Sequence, residues 1–112
     1  MTQNNLGAAL QALGKRQDDA RSLEEACTAY ENALLEITRE RSPIGWAMTL
    51  GNLAAVRMLL AERTSNASFA LLALDDFDEI LECFREASLA RYMELAEDQR
   101  KKAQELVAGL GG

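Results

Sequence analysis

The chain has 112 residues and a mass of 12.3 kDa, which is enough for one domain and too little for two independent ones. Apolar residues make up 48% of the chain and charged residues 27%, a balance that is typical of a folded globular domain and unlike that of a disordered one. The formal net charge of −6 argues against nucleic-acid binding, because a phosphate backbone would be repelled.

Residue usage favours helices and excludes several kinds of site. Alanine, leucine, glutamate and arginine dominate, and there is one proline. The chain has no histidine, and Cys27 and Cys83 lie far apart, so we expect no metal site, no cofactor and no catalytic activity. Both thiols are expected to act as small apolar side chains on helices. Because no unbroken apolar run approaches about 20 residues and no secretory signal is present, we expect a cytoplasmic protein that does not enter membranes.

The first half of the chain predicts two helices. Apolar residues at helical spacing over 6–13 predict a first helix that ends at Gly14. After a polar loop, Ser22 and Glu25 have the spacing of a capping box, which predicts that a second helix begins there. This helix is expected to end before Pro43, because the residue before a proline is disfavoured in the α region.

The second half predicts a similar arrangement. A third helix is expected to begin at Pro43, whose fixed φ suits a first helical turn. The apolar segment "SFALLAL", residues 68–74, either extends the fourth helix into the core or presents an apolar patch. Asp76 and Glu79 repeat the capping spacing, and from there a helical pattern continues without proline or glycine as far as Gly109.

The two halves of the chain repeat one pattern of residues. The segment that begins at Met1 matches the one that begins at Met48, and the segment that begins at Ser22 matches the one that begins at Asp76. The sequence therefore predicts the same helix pair twice, with an insertion in the second half. Because Met1 aligns with Met48, the chain is expected to begin inside a repeat.

The repeated pattern resembles that of the tetratricopeptide repeat family. A Leu-Gly pair followed by alanine, an aromatic residue and alanine at helical steps is typical of that family. The first copy carries the pattern at Leu6-Gly7, Ala26, Tyr30 and Ala33. The second copy departs from it at Ala54, in place of glycine, and at Ile80, in place of the first alanine. The phrases "TQNNLGAAL", "LEEACTAYENALLE" and "TRERSPIGWAMTLGNL" are especially similar to bacterial arrays whose long repeats are like those of kinesin light chain.

The resemblance implies an all-α fold, a tetratricopeptide-like stack of antiparallel helix pairs in a single domain over residues 1–112. The first repeat would occupy about residues 1–42 and the second about residues 43–93. A polar C-terminal helix with one narrow apolar face, at about residues 94–109, would close the stack as a capping helix.

In this family the first helix of each pair lines a concave groove, and an asparagine before the Leu-Gly position contacts the backbone of an extended peptide. The resemblance implies this role for Asn5 and Asn52, and a carboxamide suits it because it is both a donor and an acceptor. Either asparagine could instead be an ordinary polar residue of a helix surface. Helical steps from the two asparagines place further residues on a mostly apolar groove face, namely Met48, Ala55, Met58 and Leu59, with Gln11 and Ala12 in the first copy. Arg57 is the one cation expected at a groove or flank position.

Two functions remain open from the sequence. The leading prediction is a non-catalytic interaction module that binds a peptide or protein segment in the groove. The alternative is a structural module that forms a homodimer, because two repeats are fewer than such arrays need and the open end must be covered. The apolar insertion supplies the candidates for that self-association contact, namely Phe69, Leu71, Leu72 and Leu74.

Overall fold

The computed structural model describes residues 20–111, and within that range the chain forms four α-helices and no strand. The helices are α1 (Ala20–Glu36), α2 (Pro43–Thr64), α3 (Ala67–Glu86) and α4 (Ala90–Gly109). The predicted all-α class is therefore confirmed. The helix predicted over residues 6–14, with Asn5, Gln11 and Ala12, lies outside the described residues.

The helices stack in chain order, each against the next. Contacts join α1 to α2, α2 to α3 and α3 to α4, with a smaller contact between α2 and α4. The Cys83 thiol, near the end of α3, donates a hydrogen bond to the Pro43 carbonyl at the start of α2, over 3.7 Å. Further along, Arg57 of α2 contacts Asp76 of α3, so these two helices run antiparallel. The short connections between the other neighbours are typical of the same antiparallel packing.

The limits of α1 and α2 agree with the sequence patterns except at one end. α1 ends at Glu36, before Pro43, and α2 begins at Pro43 with the proline in its first turn, as predicted. However, the described part of α1 begins at Ala20, and Ser22 is a buried residue of the helix. The predicted start at a Ser22 capping box is therefore wrong, because the helical pattern already includes the residues before it.

The predicted start of the next helix at Asp76 is also wrong. α3 begins at Ala67, where the Asn66 side-chain oxygen accepts a hydrogen bond from the Ser68 amide over 3.0 Å. This cap satisfies a free amide of the first turn, and nothing between it and Asp76 interrupts a helix. The insertion over residues 68–74 thus extends the helix, and Asp76 lies in its middle.

The helical pattern that was expected to continue to Gly109 is interrupted. The chain turns between α3 and α4 at Ser88, whose φ of 57° is left-handed. The Leu89 amide donates to the Phe84 carbonyl over 2.9 Å and thereby satisfies a carbonyl of the last turn of α3. The terminal helix consequently begins at Ala90, four residues before the expected boundary at about residue 94.

The core is built from large side chains and many alanines, which allow close helix approach. Tyr30 and Leu53 are among its largest fully buried side chains, and the half-buried Trp46 packs against it. Cys83 is buried and Cys27 half-buried, both on helices and neither in a disulfide, as predicted.

By length and composition, α2 is long and apolar enough to cross a membrane. This property was missed from the sequence because only unbroken apolar runs were considered. A core helix of a globular protein passes the same test. Here α2 packs against each of the other three described helices and buries eight of its residues.

Candidate binding groove

An open groove of about 280 Å³ lies between α2, α3 and α4, and we call it the α2–α4 groove. One wall comes from α2, the floor comes mainly from α3, and the other wall comes from α4. Three of the seven large apolar side chains that are exposed in the described part of the chain line it, namely Met48, Tyr92 and Leu95. Exposed apolar surface is therefore gathered here rather than scattered singly.

The α2 wall contains three of the predicted groove residues. Met48, Asn52 and Ala55 are spaced at helical steps and all line the groove. The Met48 side chain is 59% exposed, Asn52 is exposed and Ala55 is half-buried. The Asn52 side-chain amide has no hydrogen-bonding partner within residues 20–111, so both its donor and its acceptor are available.

Gly51 brings the groove up to the backbone of α2. Among residues 20–111, a Cβ atom built at this position would have one neighbour within 4 Å, the Ile80 Cδ1 atom, at 3.8 Å. That distance is an ordinary van der Waals contact. The space beside Gly51 is therefore open, although the residue lies in the middle of a well-packed helix.

The floor of the groove is apolar and almost fully buried. Phe77, Ile80 and Phe84 follow helical steps along α3 and are only 3–5% exposed. A buried ion pair lies beside this row: Nη1 of Arg57 on α2 is 2.6 Å from Oδ2 of Asp76 on α3. Arg57 was expected at the groove or its flank, but the structure directs its charge into this pair.

The electrostatics of the ion pair follow from its burial. Burial raises the pKa of Asp76 to about 6, although the hydrogen bond and charge of Arg57 act in the opposite direction. The neighbouring carboxylates Glu79 and Asp75 raise the pKa of Asp76 further. Burial likewise raises the pKa of the Cys27 thiol to about 11, so this cysteine is an unreactive thiol at neutral pH.

The α4 wall was missed from the sequence. Tyr92, Leu95 and Gln99 line the groove, and the Tyr92 ring lies 5.4 Å from the Phe84 ring, tilted by 38°. Sequence reasoning assigned Tyr92 to the preceding helix and interpreted the rest of α4 as a capping helix. The helical steps from Tyr92 to Leu95 and Gln99 were a usable signal, but the turn at Ser88 that creates the wall contains no glycine or proline.

Of the described residues that line the groove, none is an acidic or basic residue. Its polar groups are the amides of Asn52 and Gln99 and the phenol of Tyr92, and none of these forms a nucleophile and base pair. Within residues 20–111, no group of Cys, Asp and Glu side chains is arranged to hold a metal ion. The groove is therefore suited to binding an uncharged surface.

Two predicted groove residues lie elsewhere. Met58 and Leu59 are half-buried and pack against the hydrophobic core rather than lining the groove. They follow Ala55 by about one turn of α2, beyond the part of the helix that α4 faces across the groove. The structure therefore brings Met48, Asn52 and Ala55 together and separates them from Met58 and Leu59.

The predicted self-association residues divide into two pairs. Phe69 and Leu74 are half-buried and pack against the core. Leu71 and Leu72 remain 47% and 45% exposed on α3. The insertion is thus both an extension of the core and a small apolar patch.

A second cavity, of about 330 Å³, lies where the α1–α2 connection meets the end of α3. Arg39 dominates it and is already paired, because its Nη2 atom is 2.9 Å from Oε2 of Glu86. The same guanidinium lies 5.5 Å from the centre of the Trp46 ring. The main cation of this cavity is therefore engaged within the protein.

The chain matches no protein-family model, no curated protein and no solved structure. The resemblance to tetratricopeptide repeats therefore stays a prediction, and the α2–α4 groove has to be interpreted from its own residues.

Proposed function

We propose that the chain is a non-catalytic interaction module that binds a segment of another protein in the α2–α4 groove. The observation that carries this proposal is the gathering of Met48, Tyr92 and Leu95 around a buried apolar floor. Concave apolar surfaces with a few polar groups are the usual form of binding sites. A methionine on the wall makes such a surface adaptable to the shape of its ligand.

The two amides favour an extended segment over a helical one. Asn52 and Gln99 stand on opposite walls and each offers a donor and an acceptor. An extended peptide presents unpaired backbone N–H and C=O groups to such amides, whereas a helix has paired its own. We therefore propose that Asn52 and Gln99 bind the backbone of the ligand and that the apolar walls bind its side chains.

The order of the helices supports a tetratricopeptide-like arrangement as part of the proposal. In that arrangement α1 is the second helix of one pair, α2 and α3 form the next pair, and α4 begins another. The first helices of successive pairs, α2 and α4, would then line one concave face, and the lining of the α2–α4 groove by residues of both helices is consistent with this arrangement.

The chemistry of the chain also bears on its partner and location. Within residues 20–111 the groove lining contains no lysine or arginine, and the net charge of the chain is −6, so we propose a protein partner rather than nucleic acid. Free cysteines are typical of a reducing compartment, and we propose that the protein is cytoplasmic.

A peptide array probed with three forms of the protein tests the proposal. Leu95→Glu places a charge in the groove, and Leu35→Glu is its matched control, because Leu35 is an exposed leucine on α1 outside the groove. The side chains are 61% and 80% exposed, so neither change should unfold the chain. Peptides that bind wild type and Leu35→Glu but not Leu95→Glu would support the groove, and Asn52→Ala should weaken the same peptides. Equal binding by both glutamate variants, or no binding by wild type, would refute the proposal.

The second candidate function is self-association through the exposed pair Leu71 and Leu72. In that case the mass in solution at high micromolar concentration would be twice 12.3 kDa, and Leu72→Glu would restore the monomer. A strictly monomeric wild-type protein at that concentration would eliminate this candidate.

A further inference from the structure

We infer that the α2–α4 groove is a socket for one aromatic side chain of the bound segment, inserted between Gly51 and the aromatic rings of α3 and α4. The inference rests on the proposed function and specifies the ligand that the same groove selects. The ligand is an extended protein segment with a phenylalanine, tyrosine or tryptophan as its anchor and with basic residues outside the groove.

The aromatic residues of the chain are concentrated at this place. The sequence contains six of them, and three line the groove, namely Phe77, Phe84 and Tyr92. The Phe84 and Tyr92 rings are tilted by 38° with centres 5.4 Å apart, and Tyr92 remains 39% exposed. An added ring can pack against them edge-to-face or offset, arrangements that aromatic pairs prefer. The Met48 thioether on the opposite wall is a further favourable neighbour for a ring.

The groove is large enough to hold a side chain of the bound segment. Its volume of about 280 Å³ lies just below the range of about 300–1,000 Å³ that holds whole drug-sized ligands. The missing side chain at Gly51 leaves the entering group free to reach the α2 backbone, with Ile80 as the neighbour below. A residue other than glycine at this position would fill the place that the anchor needs.

The charge distribution of the chain determines which ligand residues suit the anchor position and the positions on either side of it. A lysine or glutamate at the anchor position would lose its hydration among uncharged groups and gain no partner, which is strongly unfavourable. Outside the groove the net charge of −6 attracts cations and repels anions. Lysine or arginine on either side of the anchor is therefore complementary to this chain.

The test is an affinity selection with capped pentapeptides whose central residue is varied and whose four other positions are random. The central residues are phenylalanine, tyrosine, tryptophan, cyclohexylalanine, leucine, alanine and glutamate. The immobilised proteins are wild type, Gly51→Ala, Gly51→Leu, the groove variants Asn52→Ala and Leu95→Glu, and the control Gly109→Ala. Mass spectrometry identifies and quantifies the peptides that each protein retains. Gly109 suits the control because a Cβ atom there meets no described residue within 4 Å and it lies outside the groove.

We expect wild type to enrich aromatic over alanine peptides about tenfold or more, as burial of a large side chain requires. Phenylalanine should exceed cyclohexylalanine about two- to tenfold, the share that comes from ring-to-ring packing. Lysine and arginine should be enriched in the flanking positions, and less so at high salt. Gly109→Ala should keep these preferences, and Gly51→Leu should lose the preference for an aromatic central residue. Gly51→Ala should reduce the enrichment of aromatic central residues, and circular dichroism should show that this variant is folded.

The outcomes separate this inference from the proposed function. Enrichment that favours leucine or cyclohexylalanine as strongly as phenylalanine, or that survives in Gly51→Leu, overturns the aromatic socket. The binding function then stands if Asn52→Ala and Leu95→Glu still lower the total amount of bound peptide. A wild-type protein that retains no more peptide than bare resin overturns both.

Discussion

Replacing Gly51 by alanine should stabilise the protein. Glycine in the middle of a helix costs about 0.5–1 kcal/mol relative to alanine, because it loses more backbone freedom on folding. At this position the added methyl group has room, since its one close neighbour in the described part of the chain would be Ile80 Cδ1 at 3.8 Å. We therefore expect the free energy of unfolding to rise by about 0.5–1 kcal/mol. For a domain of this size the melting temperature should rise by about 2–6 °C.

Urea denaturation followed by circular dichroism measures this change. The midpoint should increase while the slope m stays constant, because the same surface is exposed on unfolding. Gly45→Ala is the matched control on the same helix. A Cβ atom at Gly45 would lie 2.6 Å from the Ser42 hydroxyl oxygen, so Ser42 has to move and the gain should be smaller or absent.

Loss of stability in Gly51→Ala would refute the reasoning, because it would mean that the space beside Gly51 is already filled. The same variant distinguishes binding from folding. If the socket exists, Gly51→Ala becomes more stable and yet binds its ligand less tightly. A reduction in binding therefore cannot be ascribed to unfolding.

Three further predictions concern other parts of the chain. Burial raises the pKa of Asp76 from 3.8 to about 6. The contribution of the protonated Asp76 carboxyl to the free energy of unfolding is therefore complete below about pH 3.8 and is lost as the pH rises through 6. In urea denaturation, the free energy of unfolding of wild type should fall by up to about 3 kcal/mol relative to that of Asp76→Asn between pH 4 and 7. Parallel pH profiles of the two proteins would contradict the raised pKa of Asp76. Ser88→Gly should raise the melting temperature, because glycine adopts the left-handed φ of 57° without steric cost and gains up to about 1 kcal/mol. Arg39→Ala should lower the melting temperature slightly at low salt and less in 1 M NaCl, because Glu86 is 65% exposed and salt screens such a pair; a salt-independent loss would indicate packing instead.

Local sequence signals predicted the helix class and several boundaries because those signals act within one turn. Pro43 begins α2 since its ring fixes φ and no amide is missed in a first turn. The same kind of reasoning failed at Asp76, where a capping pattern occurs inside a helix that Asn66 had already capped. Capping motifs predict a start only where no earlier cap exists, and the residues of the motif alone do not contain that information.

The groove was predicted on one wall and missed on the other for a related reason. Met48, Asn52 and Ala55 share a helix, so their common face follows from helical geometry alone. The contribution of Tyr92 and Leu95 depends on the chain reversing at Ser88, and a serine in the left-handed region gives no local signal in the sequence. Tertiary contacts between α3 and α4 determine that turn.

α4 buries little apolar surface, and this lowers the local stability of the groove wall that it forms. In the described structure α4 buries only Ala96 and Ala103, whereas α2 buries eight residues. A helix with so little buried apolar surface opens at a lower free energy than the rest of the fold. Its amides should therefore exchange with deuterium faster than those of α2, and a bound ligand, which holds both walls, should slow the exchange in α4 most. The groove is then a surface that its ligand helps to complete.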